Sequence, residues 1–400
     1  MEKICAPKLL CLLIVLSMLV AGCSQAQPET QVPVEQPLSQ ESPEQPEVVS
    51  QPEQSEVVVC TIVDLSGVLA AYGNDTKQGV EIAVDEINEA GGINGAKIVL
   101  RAFDEKTDPV EAVKIAQLVA DECVATIVGS GSGPAIAAGP YLEDAGIPFI
   151  ITVSSNETVT KSGWEYVSRI QLSDYDQLVR SIEYAVSELG ITKAALLHDT
   201  TDFGLGGKQY MQDIIGNRDD IELVSMEGWR LEDADYSSQI LNAQRSGADA
   251  IWIVGAAEGG ARIVQQSAQL GVEIQFLGNN GLGNQKFLDL AGDASEGLII
   301  TWGAVDPTKQ IVQDIEKKMQ ERYNRSADVF VAHAYDAMYI LAEAMRQAGM
   351  TMEDRPAIQK AIRSGVYNFS LGELSFDETG HNIRHIFIAQ VVDGEFKIIN

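Results

Sequence analysis

The run Gly129, Ser130, Gly131, Ser132, Gly133 follows an apolar stretch and precedes a helical pattern. Backbone N–H groups at such a helix start can hold an anion. It is not a dinucleotide fingerprint, because Pro134 stands where the third glycine of G-x-G-x-x-G belongs. Nor is it a nucleophile elbow, since neither Ser130 nor Ser132 has glycine two residues to each side. Gly204 to Lys208 imitates a phosphate loop, but Asp202 and Gln209 occupy the required Gly and Ser/Thr positions. The four histidines, His198, His333, His381 and His385, make no H-E-x-x-H, and no cysteine pair has zinc spacing. Gly380 and Asn382 place His381 and His385 at a surface turn. No spacing marks a catalytic carboxylate pair, so the expectation is a protein that binds without catalysis, metal or cofactor. Ser132 and Ser155, each beside a predicted turn, supply hydroxyls suited to a carboxylate.

Those turns belong to an alternation of strands and helices. Residues 57–63 form a β-branched run, and Val80, Ala83, Val84 and Ile87 recur at the spacing of an amphipathic helix. Strand 97–103, helix 109–122, strand 124–128, helix 134–144 and strand 148–153 follow. Apolar strands such as Ala125 to Val128 suit a parallel sheet covered on both faces. A second series starts near Asp174: helix 176–188, strand 193–198, helix 206–216, strand 222–227, helix 236–246, strand 249–254, helix 257–269 and strand 274–278. Helices at 309–323, 328–348 and 355–363 come next, then an antiparallel pair around 373–376 and 384–398. The order predicts an α/β protein of two lobes, with the chain crossing between them more than once.

With 58 acidic and 28 basic residues among 400, the net charge of −30 repels nucleic acid and anionic membrane faces. The N-terminus carries Lys3 and Lys8 before the apolar run Leu9 to Val20, which is shorter than the roughly 20 residues a bilayer span needs. Residues 1–22 are expected to be a signal peptide. Val20, Ala21, Gly22 and Cys23 resemble the lipobox of bacterial lipoproteins, with Cys23 the lipidated residue. Residues 24–56 are rich in Pro, Gln and Glu and lack Lys and Arg, the composition of a disordered tether. Cys60 and Cys123 remain in the body; separate buried thiols are the favoured expectation, with a bridge open as the alternative.

One family shares a longer set of residues. Ala71-Tyr72-Gly73-Asn74, Glu86-Ile87-Asn88, Gly91 to Gly95, Asp108-Pro109, Gly129 to Ser132, Glu143 to Pro148 and Ser154-Ser155-Asn156 resemble type I solute-binding proteins of the branched-chain amino acid family. His198-Asp199, Phe203-Gly204, Leu277-Gly278, Ala334 to Ala337 and Ser375-Phe376-Asp377 extend the likeness across residues 57–400. The resemblance implies two Rossmann-like lobes, 57–173 with 304–370 and 174–303 with 371–400, joined by three crossovers around a ligand cleft. It implies ligand contacts from Ser130, Ser132, Val153 and Ser155 at the charged end, from Tyr72 and Phe203 at the apolar end, and from Ala257 and Asn280. Trp302 is expected to pack at a hinge.

The sequence departs from that pattern in two places. Asn279 and Asn280 stand where amino-acid binders usually place an acid against the ligand ammonium, leaving Asp174, Asp202 or Glu258 to replace it. The usual tyrosine of the Gly255 to Glu258 segment is missing, and Ala256 and Ala257 are expected to enlarge the pocket or let Glu258 reach in. The implied role is a monomeric, lipid-anchored extracytoplasmic binder that captures an amino acid or small carboxylate and hands it to the permease of an ATP-driven importer. Its alternatives are an aromatic or aliphatic acid, an amide or urea as ligand, or a sensory instead of a transport role.

Overall fold

The computed structural model describes residues 55–303 and 305–400. The signal peptide, Cys23 and all of the tether but its last two residues lie outside them. Glu56 already opens the first strand.

The first lobe runs β1 (Glu56–Val63), α1 (Ala70–Glu89), β2 (Lys97–Asp104), α2 (Pro109–Glu122), β3 (Ala125–Gly129), α3 (Ser132–Asp144), β4 (Phe149–Ile151), α4 (Thr158–Lys161) and β5 (Val167–Arg169). The second continues with α5 (Asp174–Leu189), β6 (Lys193–Asp199), α6 (Asp202–Gly216), β7 (Glu222–Trp229), α7 (Ser237–Arg245), β8 (Ala250–Val254), α8 (Ala257–Gln269), β9 (Gln275–Gly278), α9 (Gln285–Ala291) and β10 (Ile299–Trp302). Then come α10 (Gln310–Tyr323), α11 (Val329–Ala348), α12 (Arg355–Ser364), β11 (Val366–Phe369), β12 (Gly372–Phe376), β13 (Asn382–Ile383), β14 (Phe387–Val392) and β15 (Glu395–Ile398).

Strands β2-β1-β3-β4-β5 form a parallel sheet in that order. A second sheet is ordered β15-β14-β10-β9-β8-β6-β7, parallel from β10 to β7 and antiparallel where β14 meets β10 and β15. β3 and β8 are buried along their whole length, as expected of strands covered by helices on both faces. In the first lobe, α1 and α11 pack on one face and α2 and α3 on the other. Gly79 sits where α1 crosses α11, and a Cβ there would press on the Val331 carbonyl.

The C-terminal strands pair differently from the expectation. β12 joins β11 and β13 in a small antiparallel sheet, whereas β14 and β15 form a hairpin on the edge of the second lobe's sheet. Leu371, Leu374 and Phe376 are buried in the first lobe's core. The last crossing therefore falls after Ile383, later than residue 371. Short alternating strands declare their own geometry but not the sheet they join, which is decided by distant apolar surface.

Cys60 and Cys123 form a disulfide, with Cα atoms 5.9 Å apart, instead of the two separate thiols favoured by sequence. It ties β1 to the end of α2 within the core beneath α2 and α3. Trp302 stands beside the second crossing and packs edge-on against Phe396 at 4.4 Å between ring centroids.

Candidate functional site

A cleft of about 290 Å³ opens between the lobes, at the carboxyl ends of the strands and the starts of α3 and α6. Ligands of open α/β sheets bind in such a place. Ser132, Val153 and Ser155 line it from the first lobe with Tyr72, while Phe203 and Asn280 line it from the second. Ser130 does not; its hydroxyl turns back to the Ile62 carbonyl at 3.3 Å. Ala257 also stays outside the lining, and its N–H donates to the Tyr72 hydroxyl at 3.1 Å.

The helices that begin near the cleft differ in what satisfies their first N–H groups. At α6, Gly204 N–H donates to Asp199 Oδ1 at 3.2 Å. At α8, Ala256 N–H donates to Asp199 Oδ2 at 3.2 Å and Ala257 N–H to Tyr72. α3 starts from Gly131 with no side-chain cap, and Ser132 and Gly133 N–H have no hydrogen-bond partner among the described residues. Pro134 follows, which has no N–H to satisfy. The Ser132 hydroxyl accepts from Ser154 Oγ at 3.1 Å, leaving its own proton free to donate. This wall of the cleft is thus a set of oriented donors.

Asp199 is 1% exposed and lines the cleft, but its two oxygens are already engaged by Thr201, Gly204 and Ala256. Burial pushes its carboxyl above the usual range, against the opposite pull of those hydrogen bonds. Asp202 also lines the cleft and has no side-chain hydrogen-bond or ion-pair partner among the described residues. It reaches across to α3, where a Cβ on Gly133 would lie 2.7 Å from Asp202 Oδ2, so glycine permits the approach. The other two acids proposed as replacements are placed elsewhere. Asp174 is buried behind the cleft, accepting from Asn279 Nδ2 at 3.2 Å, and burial raises its carboxyl to about 7. Glu258 lies 4.0 Å from Lys286, outside the lining.

Trp229 is 1% exposed and covers Gly255 and Gly259, where an added methyl would collide with its indole. It thus packs under the glycines on either side of Ala256 and Ala257, while Ala256 itself lines the cleft. His381 is no free surface residue either: Arg169 donates to its Nδ1 at 2.9 Å and it meets Asp176 at 3.0 Å. Arg169, wholly buried, also donates to the carbonyls of Ser155 and Asn156 at 2.9 and 2.8 Å and so holds the Ser155 loop in shape.

Sequence reasoning overlooked Gln171, which lines the cleft at the first crossing. Its Nε2 donates to Val153 O at 3.3 Å in the first lobe, and its Oε1 accepts from Asn280 Nδ2 at 2.5 Å in the second. Leu69, Leu231 and Phe330 were overlooked too; they give the cleft an apolar side together with Tyr72 and Phe203. No motif marks these residues, because each sits in a loop or on a helix whose burial depends on the other lobe. No Lys, Arg or His is found among the described residues that line the cleft.

Two α/β lobes with three crossings and a lined cleft between them define a type I solute-binding protein. Relatives bear this out: the chain belongs to the periplasmic binding protein family, which it matches over residues 56–395. It is 29% identical over 331 residues to the Leu/Ile/Val/Thr-binding protein of Salmonella typhimurium, covering 80% of this chain and 87% of that one. Its fold matches a branched-chain amino acid transporter substrate-binding protein from Streptococcus pneumoniae, in complex with isoleucine, at a TM-score of 0.78 and 22% identity, covering 86% and 99% of the two chains. An ABC transporter solute-binding protein from R. palustris, in complex with benzoate, matches equally at 0.78 with 18% identity, covering 86% and 96%.

Proposed function

We propose that this protein is the solute-binding component of an ABC importer for a neutral amino acid with an apolar side chain. One observation carries the choice of ligand: the cleft has unpaired donors on one wall, an unpaired carboxylate on the other, and no cationic side chain between them. The α3 start, with the Ser132 hydroxyl, takes the ligand carboxylate, while the Ser155 hydroxyl is turned to Asp174. Asp202 supplies the charge that Asn280 lacks and faces the ammonium. The ligand side chain lies against Tyr72, Phe203, Leu231 and Phe330. An acid without an amine would set its carboxylate beside the like charge of Asp202 with no ammonium between them. The binding described by the name of the Salmonella relative supports the same choice.

The protein works without turnover, by closing its lobes on the ligand and presenting the closed form to a membrane permease. Cys23 anchors it by lipid to the outer face of a membrane. Replacing Cys23 by Ser is expected to release the protein from the membrane fraction; continued retention would overturn the anchor. Titration calorimetry against the twenty amino acids and their deaminated acids tests the ligand. Tight binding of one or more apolar amino acids is expected, and tight binding of deaminated acids alone would overturn the reading.

A further inference from the structure

The hydrogen bonds around Gln171 determine which end of the Asn280 carboxamide is left for a ligand. Leu172 N–H, which can only donate, points to Gln171 Oε1 at 2.8 Å. The Val153 carbonyl, which can only accept, receives Gln171 Nε2 at 3.3 Å. Both ends of the Gln171 amide are thereby assigned by backbone groups of fixed character. Asn280 meets the acceptor Oε1 at 2.5 Å and must present Nδ2 to it. The Asn280 backbone is also engaged, its N–H by Gln177 Oε1 at 3.0 Å and its carbonyl by Gly283 N–H at 3.0 Å. Its polar atom without a partner among the described residues is Oδ1, on a side chain that is 4% exposed and lines the cleft.

We propose that Gln171 is a positioning residue that sets ligand selectivity, by holding Asn280 with Oδ1 toward the cleft so that this corner accepts an N–H donor and turns away a carboxylate. The inference rests on the amino-acid reading and adds a second acceptor to Asp202. A freely turning carboxamide could meet either donor or acceptor, because its two ends are nearly the same shape. Held by Gln171 through one Nδ2 proton, it presents Oδ1 as the acceptor left for a ligand. A ligand lacking the amine leaves Oδ1 buried and unpaired, and sites built around such a group discriminate strongly against the analogue without it.

The test is a double-mutant cycle on the full chain with Gln171→Met, Asn280→Ala and the double variant, titrated with leucine and with 4-methylpentanoate, its deaminated analogue. The readout is the ratio of the two dissociation constants. Each single variant is expected to lower the preference for leucine about tenfold, and the double variant no further. Equal loss of affinity for both ligands, with the ratio unchanged, would mean a merely structural role and overturn the inference while sparing the amino-acid reading. A protein that binds only the deaminated acid overturns both. If leucine is not bound, the pair is replaced by the tightest amino acid of the panel and its own deaminated acid. Side-chain amide NMR of the ligand-free wild type decides the orientation if a variant fails to fold or no ligand is found. Slowed exchange of the Asn280 Nδ2 protons is expected, and exchange at the rate of a free carboxamide overturns the inference.

Discussion

The Tyr72 hydroxyl accepts the Ala257 N–H at 3.1 Å and donates to the Gly281 carbonyl at 2.9 Å, joining α1 of the first lobe to the start of α8 and the turn after β9 in the second. Its ring stands edge-on to Phe330 at 5.0 Å between centroids. The phenol thus caps α8 across the cleft, as a side chain of the same lobe caps most helices. An aromatic expected to pack on the ligand is also a latch that can be made only when the lobes approach.

Tyr72→Phe should therefore weaken ligand binding more than it weakens folding. The ring and its packing remain, but closure loses two hydrogen bonds and leaves the Ala257 N–H without its acceptor. Each such bond contributes on the order of 1 kcal/mol, so an affinity loss of about tenfold or more is expected. Calorimetry gives the affinity, thermal unfolding the stability, and small-angle scattering the fraction of open form. A large fall in melting temperature with unchanged affinity would show that the phenol serves folding instead.

Asp202→Asn tests the assignment of the ligand charge. The acid lies at an exposed cleft rim, where an ion pair contributes modestly. The expected loss is up to about fivefold for amino acids, with binding of deaminated acids unchanged or improved. The salt dependence of amino-acid affinity should also flatten. Equal losses for both ligand types, measured by calorimetry at two salt concentrations, would remove Asp202 from the role.

How much of this was legible in the sequence depends on the reach of the signal. The helix 257–269 was read to the residue because its apolar stripe is local and its neighbours are strands with obvious β-branched runs. Ser132 and Ser155, expected from strand ends and helix starts, and Val153, implied by the family resemblance alone, all line the cleft. Gln171 carries no such signal: it lies between β5 and α5 in a segment without period, and its meaning comes from Asn280, more than a hundred residues away. Trp229 likewise ends a strand and looks like ordinary core, yet it fills the space left at Gly255 and Gly259. The cysteine pair failed for the same reason, since the contact of a strand with a helix end is a property of the packed lobe.

The Cys60–Cys123 bridge closes a loop with a sequence separation of 63 in a core where both cysteines are fully buried. Replacing both by Ala should lower unfolding free energy by about 2–4 kcal/mol, the usual range for a native disulfide. Guanidinium titrations of the two proteins measure it. Ligand affinity should change little, because neither cysteine lines the cleft. A variant as stable as the wild type would mean that the bridge adds nothing to the packing already there.

Asp174 gives a pH dependence whose sign follows from its burial. It begins α5 at the first crossing, fully buried, with Asn279, Ser155, Glu157 and Arg169 around it, and burial raises its carboxyl to about 7. An unfolded aspartate titrates near 3.9, so between about pH 4 and 7 the folded state holds a proton that the unfolded state has lost. Stability contributed by the protonated form is complete below pH 4, falls as pH rises to 7, and is constant above. Asp174→Asn removes this one titration and keeps an acceptor for Asn279. The stability of the variant relative to the wild type should therefore rise from pH 4 to 7, with a slope of at most about 1.4 kcal/mol per pH unit, and then level off. Urea unfolding of both proteins at a series of pH values isolates the difference, because groups that titrate alike in the two proteins cancel. A flat difference across that window would mean that Asp174 is ionised in the folded protein, with the Arg169 guanidinium and the Ser155 and Asn279 hydrogen bonds outweighing its burial.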